Sequence, residues 1–287
     1  MSLLHDPYVD PAASVRRAVR PGLGHGRSRR RIARTAGNRL CRVPLPTSRN
    51  QINKLGKRLA ASESIAPEDV QMLEELIACH QETLEQARPR LEELAEAVGT
   101  GPLAISARPK TTGTIIEKLR RNPNGPLAAM QDLAGFRIVG GFTFDQQDQL
   151  RDEIIRRFPA DPREPAVRDR RTDPSHGYRA VHVMVCVADV NIEIQLRTLV
   201  QHMWANMMER LADRLGRQIR YGGAPVAPPG ASQQAVQALV DSMMAISETW
   251  ASGGPDLPDH LALSIDQFTE DVWQGLTASL GEVGLDL

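Results

Sequence analysis

The chain has 287 residues, 41% of them apolar and 24% charged, and its 35 basic and 35 acidic side chains balance to zero. This composition excludes collagen-like, low-complexity and bilayer-spanning architectures and allows one or two domains with a mostly aliphatic core, since aromatics reach only 4%. Cys41, Cys79 and Cys186 stand far apart without ligand spacing, so neither a zinc site nor a disulfide framework is expected.

The neutral total hides an asymmetry. Residues 16–42 hold ten arginines and no acid, whereas residues 231–287 hold acids but no Lys or Arg. Residues 1–46 lack helical or strand periodicity and read as a basic, disordered arm, able to touch RNA electrostatically. Arginines rather than an apolar stretch follow Arg16, Arg17 and Arg20, so no signal peptide is expected and the location is cytoplasmic, with no membrane contact. Residues 47–221 read as the folded domain. Residues 222–287 read as a Gly/Pro-rich linker and acidic helices, placed to pack back on the domain, to mediate homo-oligomer contacts or to cover a basic pocket.

Order begins near Ser48, where Ile52, Leu55 and Leu59 recur at helical spacing. A second helix opens with Pro67, Glu68 and Asp69, which suit a first turn, and carries Val70, Leu73, Leu76, Ile77, His80 and Leu84 on one face. His80 there is expected to be a packed core residue. Pro89 is expected to kink or break that helix before residues 91–98 continue it. Further on, residues 111–121 and 145–158 read as helices and 134–139 as a strand. Residues 181–187 and 192–197 read as a hairpin with its turn at 188–191, and residues 199–215 as a long helix. The expected fold is therefore α+β, a mixed sheet with packed helices, flanked by N- and C-terminal helices. The C-terminal helices fall near 234–250 and 263–280.

Four clusters place charge where a core would not want it. Lys110, Thr114 and Lys118 are four apart, on one helical face, with Arg108 at the entrance; they make either a phosphate cradle or an exposed basic helix. Asp132 precedes a strand on which Phe136 and Ile138 face one way and Arg137 and Val139 the other, a setting for metal beside a nucleotide or for an ion pair. Tyr178, after a glycine turn, and His182 offer a stacking ring and a phosphate contact, or a capped hydrophobic edge. Glu193, Gln195 and Arg197 share one strand face opposite Ile192, Ile194 and Leu196, forming a solvated face or an active-site floor.

In this order the clusters resemble the RelA/SpoT synthetase pattern: Arg-x-Lys, a Thr- and Lys-bearing helix, Asp-Leu-x-x-x-Arg, Gly-Tyr-x-x-x-His, then Glu-x-Gln-x-Arg-Thr. The resemblance covers roughly residues 48–221 and is closest to short, synthetase-only members. It implies a nucleotidyltransferase-like domain that transfers pyrophosphate from ATP to a nucleotide 3′-hydroxyl with Mg²⁺. Carried onto this sequence, it makes Arg108 and Arg137 an adenine sandwich and gives the ATP phosphates to Lys110, Thr114 and Lys118. Asp132 and Glu193 become the catalytic metal-binding carboxylates, Glu193 also accepting the hydroxyl proton. Tyr178 would stack on the acceptor's guanine and His182 would meet its 5′-phosphates, with Gln195 and Arg197 in support. The acceptor loop departs from the pattern: where Lys-Asp-Tyr and then Pro-Lys are usual, the chain reads Arg168-Asp169-Arg170 and Asp173-Pro174-Ser175-His176. Three readings stay open: GDP or GTP with Arg168 or Arg170 replacing the lysine, an altered acceptor such as an adenine nucleotide or a tRNA 3′ end, or a degenerate nucleotide- or RNA-binding protein.

Overall fold

The computed structural model describes residues 44–99, 101–108, 110–158, 167–187, 190–252 and 264–282. The basic arm expected over residues 1–46 lies, up to residue 43, outside the described residues, as does the middle of the turn expected at 188–191.

Helix α1 (Arg49–Ala61) starts at Ser48, whose hydroxyl accepts from the Gln51 amide at 3.3 Å. Its buried Ile52, Leu55 and Leu59 pack with Leu73 and Leu76 of α2 (Pro67–Val98) and with Ile115 and Leu119 of α3 (Thr112–Arg121). His80 is buried as expected, its Nδ1 lying 2.7 Å from the Leu76 carbonyl, and burial pushes its pKa down.

Of the expected kink or break, the break does not occur: α2 runs as one helix through Pro89. Pro89 and Glu85, whose carbonyl loses its donor, lie on the exposed side. The buried side, with Leu84, Ala87, Leu91 and Leu94, keeps both halves on one core. Packing therefore overrides the missing bond. Pro89→Ala is expected to raise stability by roughly 1–2 kcal/mol, because alanine restores a donor at a helical position. An unchanged urea midpoint would mean that the ring's stiffening of the unfolded chain offsets that bond.

The sheet has five strands in the order β1-β2-β5-β4-β3. They are β1 (Leu103–Ala107), β2 (Gly135–Gly140), β3 (Val167–Asp169), β4 (Val181–Val187) and β5 (Val190–Thr198). Only the β2–β5 pairing is parallel, so the sheet is mixed and the α+β expectation holds. The sequence reading missed β1 and β3, the two edge strands. One face buries Phe136, Ile138, Val183, Ile192, Ile194 and Leu196 against α2 and against Leu150 and Ile154 of α4 (Phe144–Arg157). Along β2, Val139 instead meets Leu199 and Ile265 on the other side.

Helix α5 (Leu199–Leu215) crosses that other face, capped by Thr198 and Gln201 in a reciprocal box. Its Trp204, Met207, Met208 and Leu211 share a core with Val236, Val240 and Met243 of α6 (Gln233–Thr249) and Trp273 of α7 (Ile265–Glu282). The acidic C-terminal helices thus pack on α5, and among the described residues none of theirs lines the basic clefts described below. No helix among the described residues is long and apolar enough to cross a membrane.

Candidate active site

Register places the polar residues. Ser106, Arg137, Gln195, His182 and Arg168 are successive partners across β1, β2, β5, β4 and β3, a single row on the face opposite the core. Glu193 lies two residues back along β5, beside Gly135. A Cβ on Gly135 would lie 2.4 Å from the Glu193 carbonyl oxygen, so glycine is what lets β2 and β5 close up at the carboxylate.

Arg108, Lys110, Thr114, Lys118, Asp132, Glu193 and Gln195 line a cleft of about 770 Å³. The expected shared helical face is only part of the reason. Lys110 precedes α3, and its amide donates to the Leu133 carbonyl at 3.0 Å in continuation of the β1–β2 pairing. Asp132 is what gathers the lysines: Lys118 Nζ donates to Oδ1 at 2.7 Å and Oδ2 at 2.8 Å, and Lys110 Nζ to Oδ2. Burial pushes the Asp132 carboxyl up, but the two lysines outweigh it and hold it below its ordinary value.

Across β4 and β5 the hydrogen bonds form one chain. Arg197 Nη2 donates to the Tyr178 hydroxyl at 3.0 Å, Tyr178 meets His182 Nε2 at 2.8 Å, and His182 Nδ1 meets Glu193 Oε1 at 2.8 Å. Gln195 Nε2 donates to Glu193 Oε2 at 2.8 Å. Burial raises the Glu193 carboxyl, yet the His182 bond and charge outweigh it, and the net position is below the ordinary carboxylate range. His182, expected to meet phosphate, has both ring nitrogens engaged inside the protein. Tyr178, His182, Glu193, Gln195 and Arg197 line a second cleft of about 270 Å³ that shares Arg108, Asp132 and Glu193 with the first.

The arginines are unevenly placed. Arg197 is 1% exposed, and its Nε and Nη1 find no partner; neither does Nε of Arg137. Burial, then the charges of Arg197 and Arg108, push the Arg137 guanidinium down to about 10. Arg137 sits beside Gln195 and does not line either cleft, while Arg108 lines both. Arg168, on β3, joins Lys118, Asp132 and Glu193 around a further opening of about 270 Å³. Arg170 is taken up by Asp173, 3.0 Å away, and lines none of these clefts.

Sequence reasoning missed Glu209, Arg220 and Tyr221, which border the clefts. Glu209 was legible as the residue one helical step beyond Ala205 on α5, at i,i+4 spacing. Arg220 and Tyr221 sit in a short 3-10 turn after Gly216, and no periodic signal marks them.

Two carboxylates, two lysines and partly satisfied arginines are thus gathered over a polar strand face, a set of groups chemically able to bind phosphate oxygens and to accept a proton. Residues 107–212 match the family described as the region found in RelA / SpoT proteins. An uncharacterized protein of Mycobacterium tuberculosis is 37% identical over 180 residues, 63% of this chain and 64% of that one. The match thus spans less than two thirds of that relative. The GTP pyrophosphokinase YjbM of Bacillus subtilis is 31% identical over 121 residues, 37% of this chain and 54% of YjbM. Among solved structures, small alarmone synthetase 1 from Bacillus subtilis is similar at 20% identity and TM-score 0.48, over 70% of this chain and 97% of that one.

Proposed function

We propose that this protein transfers pyrophosphate from ATP to the 3′-hydroxyl of GDP or GTP, working in the cytoplasm where both nucleotides are abundant. The observation that carries this reading is the position of Asp132 and Glu193, which border both the lysine-lined cleft and the Tyr178–His182 cleft. A phosphate chain in one and a ribose in the other would meet at the two carboxylates.

The pair also fits a magnesium ion. Mg²⁺ is commonly held by one or two carboxylates with substrate phosphates and water completing its shell. Among the described residues no group of three or more His, Cys, Asp and Glu converges, which suits such a shared site better than an all-protein cage. Asp132 and Glu193 would hold the ion, which when bound supplies charge neutralisation to the phosphates.

The chain's own residues do the rest. Arg108, which unlike Arg137 lines both clefts, stacks on adenine, while Lys110, Thr114 and Lys118 hold the phosphates. Tyr178 stacks on guanine, with Arg197 over its other face at 5.0 Å. The acceptor oxygen attacks the β-phosphorus, the bond to the α–β bridging oxygen breaks, and AMP leaves. Glu193 takes the hydroxyl proton, held in place by His182 and Gln195. Arg168 supplies a cation to the acceptor's 5′-phosphates in place of the usual lysine, and this favours an anionic nucleotide over an uncharged acceptor.

The test offers Mg²⁺ and β-labelled ATP to the protein with GDP, GTP, ATP and bulk tRNA as separate acceptors. Label is expected in GDP or GTP. Label in ATP or tRNA would replace the acceptor assignment, and ATP binding with no transfer to any acceptor would sink the catalytic reading.

A further inference from the structure

The segment carrying Tyr178 is closed on itself and then fastened to the C-terminal region. The Arg170 amide donates to the Ala180 carbonyl at 2.9 Å. Inside that loop Ser175 and Tyr178 exchange backbone bonds of 3.2 and 3.1 Å around His176 (φ 49°) and Gly177 (φ 80°). Two central residues with positive φ are the mark of a tight primed turn, which fixes where the following side chain points.

Ser175 and His176 stay exposed, while the Gly177–Arg179 side of this turn meets α6. The Ser247 hydroxyl donates to the Gly177 carbonyl and accepts from Arg179 Nε at 3.1 Å. Arg179 Nε also donates to the Ser247 carbonyl at 3.0 Å, and its Nη1 donates to the Arg171 carbonyl. Arg179 is 9% exposed and Ser247 3%, so these bonds are not shared with solvent. Beside them the Trp204 indole donates to the Met243 carbonyl at 2.7 Å. A Cβ on Gly177 would lie 2.7 Å from Trp204 and 2.8 Å from the Met244 sulfur, so turn and helix are in full contact.

We infer that α6 is a working part of the acceptor site and that Ser247 is a positioning residue for Tyr178. Helix α6 lies outside the matched residues 107–212 and lines neither cleft. It reaches Tyr178 through the Gly177 carbonyl on one side and Arg179 on the other, beside the bond from Trp204, which lines the same cleft, to Met243. Donor residues on α3 and β2 have no such tie to it. The inference rests on Tyr178 being the acceptor platform.

The test uses the intact chain and compares Ser247→Ala with Ser242→Ala, an exposed serine of the same helix whose hydroxyl bonds only to Ala238. Four quantities are read: KM for GDP, KM for ATP, kcat, and amide exchange of residues 170–180. Ser247→Ala is expected to raise the GDP KM about tenfold, leave the ATP KM and saturated kcat within about twofold, and speed exchange in the loop. Unchanged KM values, or a parallel rise in both with a lower Tm, would reduce α6 to packing and overturn the inference. Absence of transfer by the wild type would sink the functional reading alone. The exchange measurement then still decides the clamp: unchanged protection in Ser247→Ala refutes it, faster exchange sustains it.

Discussion

Replacing Glu193 by Gln is expected to lower kcat by roughly 10²–10⁴, the range for losing a positioned general base, while ATP affinity changes little. The carboxylate is held ionised: burial alone would favour the neutral acid, but His182 Nδ1 and Gln195 Nε2 each meet one of its oxygens at 2.8 Å. Because its pKa is lowered, the charge that receives the proton persists through neutral pH and is lost only on acidification below the ordinary carboxylate range. Glutamine keeps the shape and removes that charge, so the His182 bond survives as a neutral one. Steady-state transfer with labelled ATP, together with calorimetric ATP binding, separates the two effects. A variant that transfers at the wild-type rate would be incompatible with Glu193 as the base.

Arg197→Met is expected to split stability from activity. Among the described residues Arg197 is the largest fully buried side chain, 1% exposed, and there it has no carboxylate ion pair and two nitrogens without a hydrogen-bond partner. Its neighbour Arg137 is repelled by the same charge. Replacing a buried charged group with an apolar side chain of similar volume often stabilises by about 1–4 kcal/mol. A gain toward the lower end is expected here, because Arg197 also bonds Tyr178 and Gln195 at 3.0 and 3.2 Å. Transfer should fall at least about 100-fold, since a buried guanidinium without a counter-ion is a fixed charge waiting for phosphate. The urea midpoint and kcat/KM read the two quantities independently. If both fall together, Arg197 holds the fold and its catalytic part is refuted.

The central elements were legible because each carried its own periodicity. Residues 199–215 were read to the residue as α5, and the Glu193-Gln195-Arg197 face separates from Ile192-Ile194-Leu196 as alternation requires. The missed strands β1 and β3 are five and three residues long and lie at the sheet edges, too short and half-buried to show a clear pattern. The four-residue spacing of Lys110, Thr114 and Lys118 named the right residues for an incomplete reason. Convergence on Asp132 is a contact between segments, and no local pattern encodes it. Ser247 and Arg179 were invisible for the same cause, being 68 residues apart in sequence. Arg170, weighed beside Arg168 for the acceptor, lies just past the end of β3 and bonds Asp173, a turn contact that no periodic pattern announces.

Adjacent strands keep a spacing of about 4.8 Å, so the row Ser106–Arg137–Gln195–His182–Arg168 acts as a ruler laid from the donor end to the acceptor end. Its graduations are peptide hydrogen bonds and owe nothing to loop length. Insertions between strands can therefore accumulate without moving one mark relative to another. What would erase the scale is a slip of one residue in a single pairing, which would turn a mark into the core and raise an aliphatic side chain in its place.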